Sequence, residues 1–238
     1  MQLVWFRQDL RIHDHSALFF AAQHGLCIGV VFLTPEQWRL HQDADIKIDL
    51  YLRRLKVLKT QLAELNIPLL ILEEPLWQHI PTRLLELCQS LNIHHVHANI
   101  EVGFNEEQRD QVALELLKKL DIQLSLYEDL TLFPLTTIRN GSNQPYQVFT
   151  AFKKKCYERL ILDVPACLPD IGVQKELKLN LSLKQVDLYQ FAQPYHNPDI
   201  AQLWSVEDET IEQRLHHFLT HSHHFRLAQV EDSKSKSS

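Results

Sequence analysis

Cys27-Ile28-Gly29-Val30-Val31-Phe32-Leu33 is a run of apolar residues with no polar side chain between them. A strand with one wet face would alternate apolar and polar positions. A short unbroken run rich in β-branched residues suits a strand covered on both faces, as in a parallel sheet. Similar runs lie on either side of it. Gln2-Leu3-Val4-Trp5-Phe6 precedes it and Leu69–Leu72 follows, while Val96–Asn99 and Ile122–Tyr127 read as two further strands. Between these runs the apolar residues recur at helical spacing. Leu52, Leu55, Leu58, Leu62 and Leu65 mark one such helix over 46–65, and Asn66-Ile67-Pro68 stops it, because proline restricts the residue before it to extended geometry. Further helices are predicted over 14–24, 78–91 and 105–120. Strand and helix alternating in this way predict a Rossmann-like, doubly wound α/β domain over 1–134: a five-stranded parallel sheet with helices on both faces.

After Pro134 the rhythm breaks. Arg139-Asn140-Gly141-Ser142-Asn143 is a turn signal, a helix is predicted over 148–160, and residues 163–200 carry four prolines and little periodicity. Residues 135–204 therefore read as an irregular connecting segment, and 205–238 as a partial helical segment. Within the latter a helix is expected over 205–219, and the polar stretch 231–238 is expected to be disordered.

The 238 residues are 45% hydrophobic, enough for a sizeable core, and carry a formal net charge of −6. That balance argues against strong nucleic-acid binding by this chain alone, since phosphate-binding surfaces are basic. The four cysteines are far apart and form no CxxC pair, which points to a reducing compartment. No apolar run reaches membrane-span length and the N-terminus is too polar for a signal peptide, so the cytoplasm is expected.

In open α/β sheets, ligands sit beyond the carboxyl ends of the strands. The first loop there, Arg7-Gln8-Asp9-Leu10-Arg11-Ile12-His13-Asp14, has no glycine, so a dinucleotide phosphate fingerprint is absent. Its charges can pair and lock the loop, and Asp14 is placed to cap the next helix. The second loop, Thr34 to His41, offers His41, which by itself reads as an exposed loop histidine. The loop after the fourth run offers Asn105 and Glu106; Asn105 with Gln108 resembles a capping box, and Glu106 suits the helix dipole. His94, His95 and His97 form one histidine-rich stretch, with His94 and His95 expected in solvent. His216, His217, His221, His223 and His224 form another, but acidic and cysteine ligands are missing from both and no metal site is assigned. Lys153-Lys154-Lys155 with Arg159 reads as a solvated helix face. No Ser-His-acid or Cys-His constellation can be placed, so no catalytic residue is assigned.

Leu3-Val4-Trp5-Phe6-Arg7-Gln8-Asp9-Leu10-Arg11-Ile12-His13-Asp14 resembles the opening signature of the photolyase/cryptochrome family. Gln144-Pro145-Tyr146-Gln147-Val148-Phe149-Thr150-Ala151-Phe152 resembles the family's segment after its α/β domain. The resemblance implies the N-terminal antenna-binding domain of a DNA photolyase that splits cyclobutane pyrimidine dimers with near-UV or blue light. The antenna it implies is 5,10-methenyltetrahydrofolate or a deazaflavin. In the folate case His41, Asn105 and Glu106 match pigment-binding positions, with the Asn–Glu pair accepting from the pterin N–H groups. The family's FAD and its contact with damaged DNA belong to a following helical domain. The resemblance therefore implies that this chain is truncated before that domain, binds folate weakly, neither holds FAD nor repairs DNA alone, and has as candidate partner a separate chain carrying the flavin half. The rival readings are a cryptochrome-like photoreceptor fragment and a free-standing nucleotide-binding regulatory α/β domain.

Overall fold

The computed structural model describes residues 1–179 and 183–235, with side chains described as far as residue 221. Five parallel strands form one sheet: β1 (Gln2–Trp5), β2 (Cys27–Leu33), β3 (Leu69–Glu73), β4 (His95–Asn99) and β5 (Gln123–Tyr127), in the order β3-β2-β1-β4-β5. The expected sheet is therefore present. Register is parallel throughout, with Leu3 opposite Ile28 and Val96, and Val31 opposite Ile71. Every residue of β2 is buried, which is why its sequence shows no alternation.

Leu3 and Trp5 point to the face covered by α4 (Ile80–Ser90) and α5 (Phe104–Lys118), joining Leu84, Leu87, Ala113 and Leu117 in one core. The alternate residues Val4 and Phe6 point to the opposite face, where α1 (Ser16–His24) packs and the Phe6 ring lies 5.0 Å from His15. Gly29 in mid-strand has a packing reason. A Cβ there would lie 2.7 Å from the Leu69 side chain and 3.1 Å from the Phe6 ring.

With only 5 glycines, the chain closes three of its helices by other means. Asn66, Asn92 and Asp121 all adopt left-handed backbone, with φ of 59°, 51° and 55°. Each ends a helix: α3 (Asp45–Glu64), α4 and α5. At each, the next N–H reaches back to the last turn: Ile67 to Leu62, Ile93 to Cys88 and Ile122 to Leu117, at 2.8, 2.8 and 3.1 Å. This is the Schellman closure, and the isoleucine that completes it is buried every time.

Three segments differ from the expected elements. Pro35–Leu40 is a short helix, α2, with Pro35 at its first turn, where a loop was expected. Residues 163–200 are not wholly irregular: α7 (Leu188–Ala192) and a 3-10 turn lie there, and α8 (Pro198–Leu203) begins there. The last helix, α9, spans Asp208–Ser235, longer than the expected 205–219; residues 236–238 lie outside the described residues. Between these elements, α6 (Phe149–Leu162) falls close to its expected place.

The connecting segment is pinned along the sheet domain. Asp14 Oδ1 accepts from Leu168 N–H, and Val186 N–H donates to Ile71 of β3. Gln174 treats Cys27 as a strand would, accepting from its N–H at 2.7 Å and donating to its C=O at 2.9 Å. Leu179 and Leu183 pack against the core. The chain divides into two compact units. One is Met1–Asp43 with Leu58–Leu188, and the other is Ala44–Val57 with Tyr189–Ser238. The second unit is held by Arg53, bonded to Asp49 and to the Trp204 carbonyl, and by Arg54, bonded to Asp208 and the Val206 carbonyl.

Candidate functional site

Strand order reverses between β1 and β4, and the crevice beyond their carboxyl ends is where this class of sheet builds a site. Arg7 leaves β1 into that crevice and is buried. Its Nη1 donates to both Asp110 carboxylate oxygens at 2.8 and 2.6 Å, and its Nε lies 3.6 Å from Glu101. Arg109 donates from Nη2 to Glu101 at 2.9 Å and to Asp110 at 2.8 Å. Two cations and two carboxylates thus close on themselves. Both guanidiniums also lie over the Trp5 ring, 4.9 and 4.8 Å from its centroid.

The rest of the first loop is stapled to the start of α1. Asp9 accepts from the Arg7 N–H, from Asn99 Nδ2 at 2.8 Å and from His15 Nε2 at 2.9 Å. Burial alone would raise its carboxyl, but the His15 hydrogen bond and charge, with Arg7, outweigh burial and bring it down to about 2. Asn99, buried at the end of β4, spends its whole amide. It donates to Asp9 and to Asp129, and accepts from Ala17 N–H. Asp129 accepts from Ser16 N–H and Oγ and from Arg11.

Two expected caps are corrected. The N-cap of α1 is His15, whose Nδ1 accepts from Leu18 N–H; Asp14 lies one residue earlier in left-handed backbone, φ 47°, and turns to Leu168. No capping box forms at Asn105, because α5 begins at Phe104, with Gly103 as N-cap and no side-chain cap. The charged loop is locked as expected, but largely by partners from distant segments.

A cavity of about 300 Å³ opens beside this lock, lined among others by Gln37, Trp77, Asn105, Gln108, Arg109 and Val112. That is at the small end of ligand pockets. A larger one of about 590 Å³ lies at the amino edge, between residues 22–26 and 170–175. Sheet topology favours the smaller one, which sits at the carboxyl edge. Asn105 is exposed on its wall. His41 is exposed at the C-terminus of α2, and meets the cavity lining through Gln37, 2.8 Å from its Nε2, and through the Trp77 ring, 5.2 Å away edge to face. Glu106 is half-buried and lies outside the lining, its carboxylate turned back over Gly103, where an added Cβ would strike it. Asn105 and the surroundings of His41 are thus brought together, while Glu106 faces another way. Sequence reading missed Trp77 and Arg109 and gave Gln108 only a capping role. The visible signal was the spacing 105, 108, 109, 112, a single face of a helix.

Among the described residues the histidines do not converge on a metal. His95 is half-buried in β4, not in solvent, with its ring 3.9 Å from His97. His97 is fully buried, bonded to Tyr127 and Gln2, and burial, aided by His95 and His24, pushes its imidazole down to about 3. Among the described residues no group of three or more His, Cys, Asp or Glu is placed to hold a metal. His223 and His224 lie outside the described side chains. Lys155 pairs with Glu158, and Arg159 covers the Phe133 ring, so the basic cluster on α6 is a solvated face.

The DNA photolyase family model matches residues 2–170. The chain belongs to the DNA photolyase family. It is 34% identical to the deoxyribodipyrimidine photo-lyase of Vibrio cholerae over 222 residues, 92% of this chain and 46% of that protein. To that of Buchnera aphidicola subsp. Baizongia pistaciae it is 32% identical over 171 residues, 71% of this chain and 36% of the relative. The chain thus spans less than half the length of these relatives. Among solved structures, a Synechocystis cryptochrome superposes with a TM-score of 0.65 at 22% identity, over 84% of this chain and 40% of that one, which supports the photolyase-type α/β fold.

Proposed function

We propose that this chain is the light-harvesting domain of a DNA photolyase that repairs cyclobutane pyrimidine dimers, and that its carboxyl-edge cavity holds a 5,10-methenyltetrahydrofolate antenna. The observation that carries the reading is the juxtaposition of Asn105, Trp77 and the Gln37–His41 pair at the strand-order reversal, in a chain of this family. A flat conjugated ring needs an apolar wall and a few amide partners. Trp77, Val112, Asn105 and Gln108 supply these, so the residues present fit the group. When bound, the folate absorbs near-UV light and passes the excitation on.

The protein's own work is to hold the pigment still, since transfer depends on distance and orientation. The closed Arg7–Asp110–Arg109–Glu101 lock fixes the start of α5, and with it Asn105. His41 is proposed to close the outer side of the cavity, and Glu106 to accept from the pigment after turning from Gly103. Repair by FAD and contact with dimer-bearing DNA are assigned to the portion of the relatives without counterpart in this chain. The domain boundary near residue 134 and a cytoplasmic site belong to the same proposal. All four cysteines are free, and no helix of the described residues is long and apolar enough to cross a membrane.

A nucleotide-binding regulatory role fares worse on physical grounds. Phosphates bind helix N-termini through unspent N–H groups. At α1 the first three are already taken, Ser16 by Asp129, Ala17 by Asn99 and Leu18 by His15.

Titrating the purified chain with methenyltetrahydrofolate, followed by near-UV absorption, tests the antenna reading. Weak saturable binding is expected, reduced by His41→Ala and by Asn105→Ala. Absence of saturable binding at millimolar folate would overturn it.

A further inference from the structure

The sheet ends differently at its two edges. Along β3 the connecting segment bonds to the rim, with Val186 N–H donating to the Ile71 carbonyl. β5 is the other edge, and among the described residues no strand pairs with its outer side. Its backbone directions follow from the ladder. Gln123 N–H donates to the His94 carbonyl and Ile100 N–H to the Tyr127 carbonyl, so Gln123, Ser125 and Tyr127 turn their backbone groups to β4. By the two-residue period, Leu124 and Leu126 turn theirs outward. Among the described residues neither finds a hydrogen-bond partner there. Edge strands are commonly protected by lysine, proline or a bulge. Gln123-Leu124-Ser125-Leu126-Tyr127 has no charge and no proline, and its register with β4 has no bulge.

The sequence around this edge says what fits it. Leu124 and Leu126 stand at equal distances on the two sides of Ser125, and so do Leu120 and Leu130, both about half exposed. The two ends differ in charge. Lys118 and Lys119 outnumber Asp121 before the strand, and Glu128 follows it, while Asp129 is spent on Arg11 and Ser16. An antiparallel strand of the same sequence, related by a two-fold axis at Ser125, sets apolar against apolar and the cationic end against the anionic one; a parallel strand would set like ends together. We propose that β5 pairs with β5 of a second copy of this chain, joining the two sheets across that axis. Leu124 of each copy then exchanges N–H and C=O bonds with Leu126 of the other. Ser125 faces its own equivalent in the non-hydrogen-bonded position, where opposed side chains come closest.

Sedimentation velocity of the full chain over a concentration series, with amide hydrogen exchange on the same samples, tests the pairing. A monomer–dimer equilibrium with a dissociation constant on the order of 10–100 μM is expected of so small a contact. The Leu124 and Leu126 amides are expected to slow in exchange as concentration rises, and the Ser125 amide, already turned to β4, to stay constant. Ser125→Lys and Ser125→Glu each set like charges face to face on the axis and are expected to weaken dimerisation about tenfold. Mixed in equal amounts, the two variants are expected to pair with each other, a recovery that unfolding of either does not produce. A chain that stays monomeric to millimolar concentration overturns the proposal. So does a dimer that leaves the Leu124 and Leu126 amides unprotected, because another surface then makes it. Protection independent of concentration overturns it too, because the chain then covers β5 itself. Failure of the mixed variants to restore the dimer, with both folded by circular dichroism, does the same.

Discussion

Arg7 holds Asp110 with both carboxylate oxygens in a space almost closed to water. Removing it leaves a single arginine, Arg109, between the carboxylates of Asp110 and Glu101. Arg7→Leu is therefore expected to cost about 3–5 kcal/mol, read from urea unfolding followed by circular dichroism. Arg7→Lys is not conservative either, because an ammonium gives up the planar guanidinium that lies over the Trp5 ring. Two neighbouring groups give stability a pH dependence. His97 is pushed from 6.5 to about 3, so the unfolded chain takes up its proton first as pH falls. Stability from that group is complete above about pH 6.5 and is lost progressively towards pH 3. Asp9, brought from 3.8 to about 2, contributes above pH 3.8 and loses its contribution as pH falls through 2. The urea midpoint is expected to drop between neutral pH and about pH 5, and His97→Gln to flatten that drop. An unchanged slope in the variant would assign the effect elsewhere.

At the scale of elements, the helix-closing residues make a sharp test. Asn92 sits at φ 51° before buried Ile93. Asn92→Gly is expected to hold or raise stability by up to about 1 kcal/mol, and Asn92→Val to lower it by about 1–2 kcal/mol, measured as thermal midpoints. These closures explain why the strands were so legible. Asn-Ile and Asp-Ile steps delimit α3, α4 and α5, and burial on both faces leaves β2 and most of β3 an unbroken apolar run. The second helix escaped notice because Pro35–Leu40 is too short to show a period. The candidate site was half legible. Asn105 could be placed because loops after strands end at the ligand edge. The Arg7–Asp110 pair spans 103 positions and has no periodic trace in the sequence. Trp77 sits in a 3-10 turn, where no pattern singles it out.

For the sheet unit as a whole, the connecting segment is structural and not slack. Leu179 and Leu183 cover core surface, and Gln174 and Val186 bond to β2 and β3. A version ending at Pro134 is expected to be markedly less stable than one ending at Leu188, and to bind a dye for exposed apolar surface; equal thermal midpoints would show the segment to be dispensable. The same geometry orders events in time. Gln174 clasps Cys27 across 147 positions, and a contact that closes so long a loop is expected to form after β2 pairs with β1. In refolding followed by pulsed deuterium labelling, the Cys27 amide should then gain protection later than those of Val30 and Val31, as the last stitch in a seam already sewn.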